Sequence, residues 1–266
     1  MGTLAQQTAG WVTLAGAGPG DAELITLRLA RRLAEADVIL TDRLVNADII
    51  HQHASPGAEV IVSGKKGYSS LSMQQSEICE LMITHAFAGK KVVRLKGGDV
   101  AIFSNVLDEL EALTANQIPF DIIPGITAAS AASAYTGIPL TARGISQGVQ
   151  FLSFHASNFY SSEKWKSLAS TNDTLVFYMS ARKVTDLAEL LLRYTRKPDT
   201  PIAVVEQAST IHQRFFESTL RNCAAEFAGI EFCSPSLVII GDVVSLHKQF
   251  NWFKPTVSEG SVFVEL

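Results

Sequence analysis

Three cysteines in 266 residues, at positions 79, 223 and 233, are too few and too scattered for a disulfide framework or a zinc pattern. Idle thiols in a reducing compartment are the expected state, and no metal is expected. No apolar run approaches the roughly 18 residues that a membrane span requires. The opening MGTLAQQTAG has neither the basic nor the apolar region of a secretory leader. The expectation is a cytoplasmic protein with no membrane partner. Basic blocks are missing as well: the net charge is −4, with acids and bases spread along the chain. A nucleic-acid partner is therefore not expected. No internal repeat of fixed period is visible.

What the chain does have is apolar residues, 47% of the total, in short β-rich runs that alternate with helical stretches. Residues 11–17, 37–41, 59–62, 91–95 and 120–123 read as strands. Residues 24–35 place Leu24, Leu27, Ala30 and Leu33 on one helical stripe, and helices are predicted around 72–88, 105–116 and 126–136. The strands are apolar at nearly every position, as expected where helices cover both faces of a largely parallel sheet. The stretch TGIPLTARGISQG (136–148) breaks the pattern. Beyond it, strands are predicted at 149–154, 174–179, 201–206, 213–218 and 236–241, with helices at 183–193 and 219–228 and a mixed sheet. The reading is two α/β domains, 1–138 and 139–266, with a weakly patterned tail after Phe253.

Four segments at strand ends carry candidate chemistry. Gly16-Ala17-Gly18-Pro19-Gly20-Asp21 opens a strand–turn–helix unit. A dinucleotide fingerprint needs glycine or alanine at position 21; Asp21 would repel a pyrophosphate and Pro19 removes an amide donor. The loop reads as tight and rigid, a turn kept for backbone geometry alone being the alternative. Arg94-Leu95-Lys96-Gly97-Gly98-Asp99 places two glycines at a strand's carboxyl end, where a ligand can lie against backbone. Asp99 could accept from a ribose or an amine, and Ile102 and Phe103 could cover an adenine. Ile123-Pro124-Gly125-Ile126-Thr127-Ala128-Ala129-Ser130 opens a small-residue helix that permits close approach by a ligand or simply by a neighbouring helix. Asp42 and Gly64-Lys65-Lys66 also follow strands. A carboxylate and an ammonium there can exchange protons with a substrate; a ribose contact by Asp42 and a surface ion pair are the alternatives.

Taken in order, these segments resemble uroporphyrinogen III C-methyltransferases of the tetrapyrrole methylase superfamily. So do Leu24-Ile25-Thr26-Leu27, Asp42-Arg43-Leu44-Val45, residues 137–144, 175–179, 200–206 and 234–244. The resemblance covers about 11–253. It implies the tetrapyrrole methylase fold, with two α/β domains and S-adenosyl-L-methionine in the cleft between them, and a homodimer. It implies C-methylation of uroporphyrinogen III at C2 and C7 to give precorrin-2, for siroheme or cobalamin synthesis, with S-adenosyl-L-homocysteine as the second product. Cofactor contacts carried across are Pro19, Gly97, Gly98, Asp99, Ile102, Thr127, Ala128, Met179 and Ala208. Asp42 matches the proposed proton acceptor and Lys65 the proposed donor. The chain has no room for the dehydrogenase–ferrochelatase module that some members carry, so it is expected to stop at precorrin-2.

The family pattern is not matched everywhere. An arginine implicated in substrate carboxylate binding is Asn105 here, a tyrosine is Thr41, and a glycine is Ala208; a histidine is missing near Ser69, Ser70 or Ser72. Arg43, Lys66 and Arg143 are the candidates to compensate. The rivals are another precorrin methyltransferase, diphthine synthase or ribosomal-RNA methyltransferase of the same superfamily, a dinucleotide-dependent oxidoreductase, and a non-catalytic binding relative.

Overall fold

A computed structural model describes residues 10–63, 73–154, 160–195, 197–256 and 260–263. Strands β1 (Trp11–Gly16), β2 (Val38–Thr41), β3 (Glu59–Val62), β4 (Lys91–Lys96) and β5 (Phe120–Ile123) form a sheet in the order β3-β2-β4-β1-β5, every pairing parallel. Parallel neighbours cannot be joined by a tight hairpin, and helices α1 (Leu27–Glu35), α2 (Ala47–His53), α3 (Gln75–Phe87) and α4 (Leu107–Ala115) lie in the connections. Successive strand residues face opposite sides. Ala15, Ile39, Val93 and Leu95 thus pack on Leu29 and Leu33 of α1 and Ile49 of α2. Leu14, Leu40 and Val92 pack on Met82 of α3 and Leu113 of α4.

The stripe predicted for 24–35 is corrected by the structure. Residues 22–24 form a separate 3₁₀ turn capped by Asp21, and α1 starts afresh at Thr26, whose side chain accepts from the Leu29 amide. The break at Ile25 and Thr26 resets the helical frame, so Leu29 and Leu33 face the core while Leu27 is 80% exposed. Helix α2 was not among the predicted elements. Its N-cap Asn46 is buried, accepts from the Asp48 amide (3.0 Å) and donates to the Gly20 carbonyl (2.8 Å).

The second sheet contains β6 (Val149–Ser153), β7 (Thr174–Tyr178), β8 (Pro201–Glu206), β9 (Arg214–Thr219) and β10 (Ser236–Ile240), in the order β6-β7-β10-β8-β9. It is mixed: β6 and β7 are parallel, the other pairs antiparallel. Helix α5 (Ala128–Thr136) precedes it, and α6 (Ser162–Ser170), α7 (Val184–Leu192), α8 (Cys223–Glu226) and α9 (His247–Phe250) complete the described helices. Trp165, Leu187, Leu191 and Phe227 cover Phe177, Val204 and Val238 in one core. The described residues divide into two compact units, one ending at Thr127 and taking in 261–263, the other running from Ala128 to Gly260.

Asp121 straps α1 to the β1–β5 edge. It accepts from Trp11 Nε1 (3.0 Å), Thr13 Oγ1 (2.7 Å), Arg28 (2.7 Å) and Arg32 (3.0 Å). Burial alone would raise its pKa; these hydrogen bonds outweigh burial and hold it at about 2, below the ordinary 3.8. A folded value below the unfolded one means stabilisation that is present above 3.8 and lost as pH falls towards 2. Denaturant midpoints measured across that window should fall steeply for the parent protein and more gently for Asp121→Asn; parallel slopes would contradict the assignment.

Candidate functional site

The carboxyl ends of β1, β4 and β5 meet backbone to backbone. Gly18 N donates to Gly98 O (3.0 Å) and Gly98 N to Gly18 O (2.7 Å), while Ala17 N donates to Lys96 O (2.7 Å). A Cβ on Gly16 would lie 2.6 Å from Gly98 O, and one on Gly125 would lie 2.3 Å from the same oxygen. Neither glycine can carry a side chain without parting the loops. Asp99 closes the arrangement: Oδ1 accepts from the Ala101 amide (2.8 Å) and Oδ2 from the Gly125 amide (2.9 Å). Its expected partner was a ribose or an amine; in the structure both oxygens already tie the β4 and β5 loops together. Pro19 is buried in the β1 turn, and Gly97, Gly98, Ile102 and Thr127 are half-buried. Phe103 and Asn105 both adopt left-handed backbone (φ 53° and 52°), and Asn105 Nδ2 donates to Asp108 Oδ2 at 2.8 Å.

Asp42, at the end of β2, ends a chain of buried charges. Arg94 Nη2 donates to Asp42 Oδ1 (2.6 Å) and Arg94 Nε to Glu109 Oε1 (2.8 Å). Lys96 Nζ donates to both Glu109 oxygens (2.9 Å each). Side-chain exposure runs from 0% at Glu109 through 2% at Arg94 to 30% at Asp42. Burial alone would lower the Arg94 pKa, but the two carboxylates outweigh it and push it up. Ser63 Oγ lies 3.0 Å from Asp42 Oδ1 and 3.1 Å from the Thr41 carbonyl. Arg43 is half-buried and makes no ion pair with a described residue. Lys65 and Lys66, like Ser69, Ser70 and Ser72, lie outside the described residues. Sequence reading quoted Arg94 and Lys96 in a motif and missed their pairing with Glu109 and the contribution of Ser63. The spacing of Arg94 and Lys96, which puts both on one face of β4, was the available signal.

In the second unit, Ala128 is the first residue of α5, and the neighbouring Ala129 amide donates to Tyr178 Oη (3.3 Å). Met179 follows β7 with φ 57° and is 61% exposed. Ala208 follows β8 and is nearly buried between Gln207 (φ 46°) and Ser209 (φ 72°). Both strands are antiparallel to β10, which separates them, so they run the same way and Met179 and Ala208 extend past the same sheet edge. Arg143 sits exposed on a turn closed by the Ala142–Ser146 bridge. Among the described residues no cluster of three or more His, Cys, Asp or Glu is placed to hold a metal, and no helix is long and apolar enough to cross a membrane.

A strand-end glycine interlock on a parallel α/β sheet, followed by a mixed second sheet, is the class of fold that the motifs imply. The family model for tetrapyrrole (corrin/porphyrin) methylases matches residues 12–224, and the chain belongs to that family. It is 44% identical over 245 residues to siroheme synthase of Edwardsiella ictaluri, covering 92% of this chain and 52% of that protein. With siroheme synthase of Acinetobacter baylyi it shares 42% over 252 residues, covering 94% and 55%. The chain therefore spans about half the length of the curated relatives it matches. Among solved structures, uroporphyrin-III C-methyl transferase from Thermus thermophilus complexed with S-adenyl homocysteine matches at 36% identity and TM-score 0.74, covering 89% of this chain and 100% of that one. A cobalamin biosynthetic enzyme, cobalt precorrin-4 methyltransferase, matches at 26% identity and TM-score 0.78, covering 91% and 99%.

The interlock gives a stability test. Gly125→Ala should lower the urea midpoint by the equivalent of about 1–3 kcal/mol or more, as overpacking does. Gly57→Ala, whose added Cβ meets nothing within 4 Å, should leave it nearly unchanged. Equal midpoints for the two variants would show that the strand ends are free to separate.

Proposed function

We propose that this chain is a methyltransferase that uses S-adenosyl-L-methionine to C-methylate uroporphyrinogen III at C2 and C7. The products are precorrin-2, for siroheme or cobalamin synthesis, and S-adenosyl-L-homocysteine. We propose also that it works as a homodimer in the cytoplasm. The observation carrying this reading is the match over the full length of a uroporphyrin-III C-methyl transferase complexed with S-adenyl homocysteine. The match to cobalt precorrin-4 methyltransferase has the higher TM-score but the lower identity, 26% against 36%. It keeps a later corrin methylation as the second reading.

The residues present fit such a cofactor. Gly97 and Gly98 offer half-buried backbone without side chains beyond a sheet's carboxyl edge, where ligands of open α/β folds bind. No cation is pressed onto that surface by the loop, since Lys96 is turned inward on Glu109, so a sulfonium would not be repelled. Asp99 fixes the loops beside that surface, and we assign Ile102 and Phe103 as apolar cover and Pro19 and Thr127 as further contacts. From the second unit we assign Ala128, Met179 and Ala208 to the same cofactor.

When bound, the cofactor supplies an electrophilic methyl group to an electron-rich pyrrole carbon. The protein's part is to position and to manage charge, which can account for several kcal/mol of barrier. The methylated ring then has a proton to lose, and Asp42, or a water it holds, accepts it. Lys65 is assigned the complementary role, protonating the ring elsewhere or neutralising a carboxylate. The substrate's eight carboxylates need cations, and arginine suits them through its planar fork. Arg94 and Lys96 are committed to Glu109 and Asp42, and Asn105 is turned to Asp108. We therefore assign Arg43, Lys66 and Arg143 to substrate binding.

Incubation with uroporphyrinogen III and S-adenosyl-L-methionine should yield a product heavier by two methyl groups on mass spectrometry. No methyl gain would remove the proposal, and gain only on a later precorrin would favour the second reading. Asp42→Ala and Lys65→Ala should each lower kcat by about 10²-fold or more, while calorimetry with S-adenosyl-L-homocysteine still registers binding. Parent-like turnover in both would strip these residues of their roles.

A further inference from the structure

Charges are costly to bury, and a buried ion pair adds little stability over apolar residues of similar volume. A sheet strand that carries both Arg94 and Lys96 into its interior therefore asks for a reason other than stability. The geometry of the chain of charges suggests one. Its inner end is inaccessible: Glu109 is wholly buried on α4 and takes three hydrogen bonds from two cations. Its outer end, Asp42, is the one member with substantial exposure, at the carboxyl edge of β2 beside the glycine interlock.

We propose that Arg94 is a positioning residue for methyl transfer: with Ser63 it clamps Asp42 Oδ1, so that Oδ2 is presented to the substrate. Oδ1 receives Arg94 Nη2 (2.6 Å) and Ser63 Oγ (3.0 Å), whereas Oδ2 has no hydrogen-bond partner among the described residues. The guanidinium is itself immobilised. Nε is tied to Glu109, and Nη1 lies 3.4 Å from the Leu40 carbonyl and 3.3 Å from the Leu95 carbonyl. A plane fixed at three points transmits its orientation to the carboxylate it binds. Lys96 completes the arrangement by balancing the second negative charge, so that Glu109 pulls on Arg94 without leaving a net charge in the interior. A lysine at position 94 would keep the charge but lose the fork that fixes the carboxylate. Ser63 follows directly on β3, so the clamp also ties the end of β3 to that of β2.

The inference rests on the proposed role of Asp42, and the test separates the two. Steady-state kinetics of the full chain would use uroporphyrinogen III and S-adenosyl-L-methionine. Arg94→Lys should lower kcat by about 10- to 100-fold, the scale of a misplaced catalytic group, with KM for the tetrapyrrole and affinity for S-adenosyl-L-homocysteine unchanged. In an Asp42→Asn background the same substitution should lower kcat no further. Additive losses, or a change in KM or cofactor affinity at constant kcat, would overturn the assignment. Should circular dichroism show Arg94→Lys unfolded, Ser63→Ala answers the same question. It should lower kcat several-fold at constant KM, again with no further effect on Asp42→Asn, and unchanged kcat would overturn the clamp. A parent protein that transfers no methyl group removes the functional reading and this inference together. A parent that does transfer, with additive variants, removes this inference alone.

Discussion

Gly16, Gly98 and Gly125 bring three strand ends of the first sheet into contact at a separation that excludes a side chain on Gly16 or Gly125. Because the strands are parallel, their carboxyl ends share one edge. Because the turns there are glycine, the edge is bare peptide. Asp99 is consumed in holding it, with one carboxylate oxygen on each of two loops. The loop that follows leaves this contact through two left-handed residues, Phe103 and Asn105. Such backbone costs of order 1–3 kcal/mol per residue and persists where the surroundings over-determine it. A rigid backbone surface held by a carboxylate, with Ile102 and Phe103 following it, suits a flat, uncharged nucleoside better than a pyrophosphate.

The positive charge of β4 is held just behind this edge. Strand β4 alternates Arg94, Leu95 and Lys96, so the two cations share a face and Leu95 joins the opposite apolar cluster. Glu109 on α4 receives both, and Asp42 on the neighbouring strand receives the far side of Arg94. Two positive and two negative groups thus balance within hydrogen-bond distance. Buried ion pairs are tolerated only with such complete pairing. Through Arg94, Glu109 in the sheet's interior is linked to Asp42 at its rim.

Strand positions were legible because short apolar runs read as strands whatever their pairing: β3 and β5, edge strands of the parallel sheet, and β8, antiparallel to both neighbours, coincide with the runs read at 59–62, 120–123 and 201–206. Helices were less so. Helix α2 escaped because ADIIHQH has too short an apolar stripe, although Asn46 marked its cap and the parallel β2–β3 pair demanded a crossover. Helix α6 was likewise announced only by Ser161, whose hydroxyl accepts from Lys164. The stripe through Leu27 failed because a 3₁₀ turn ends before Ile25 and periodicity cannot see a frame shift. The break in composition at 136–148 lies after α5, whereas the compact units divide before it. At the site, the glycine motifs announced the meeting of loops, since glycine is diagnostic where backbones touch. The Arg94–Glu109 pair was not legible, because its partners are separated in sequence and a buried glutamate looks like any surface helix acid until its environment is known. The left-handed residues Met179, Gln207 and Ser209 carry no sequence signal, since none is glycine or asparagine.

The chain belongs to the tetrapyrrole (corrin/porphyrin) methylases and spans about half the length of its siroheme synthase relatives, so its chemistry must be asked of this chain directly. The central claim is that bare backbone at the β4 exit is where a nucleoside-bearing methyl donor lies. A crystal structure grown with S-adenosyl-L-homocysteine tests it most directly. The account predicts the nucleoside against Gly97–Asp99, under Ile102, and a nucleoside bound elsewhere with those residues bare would contradict it.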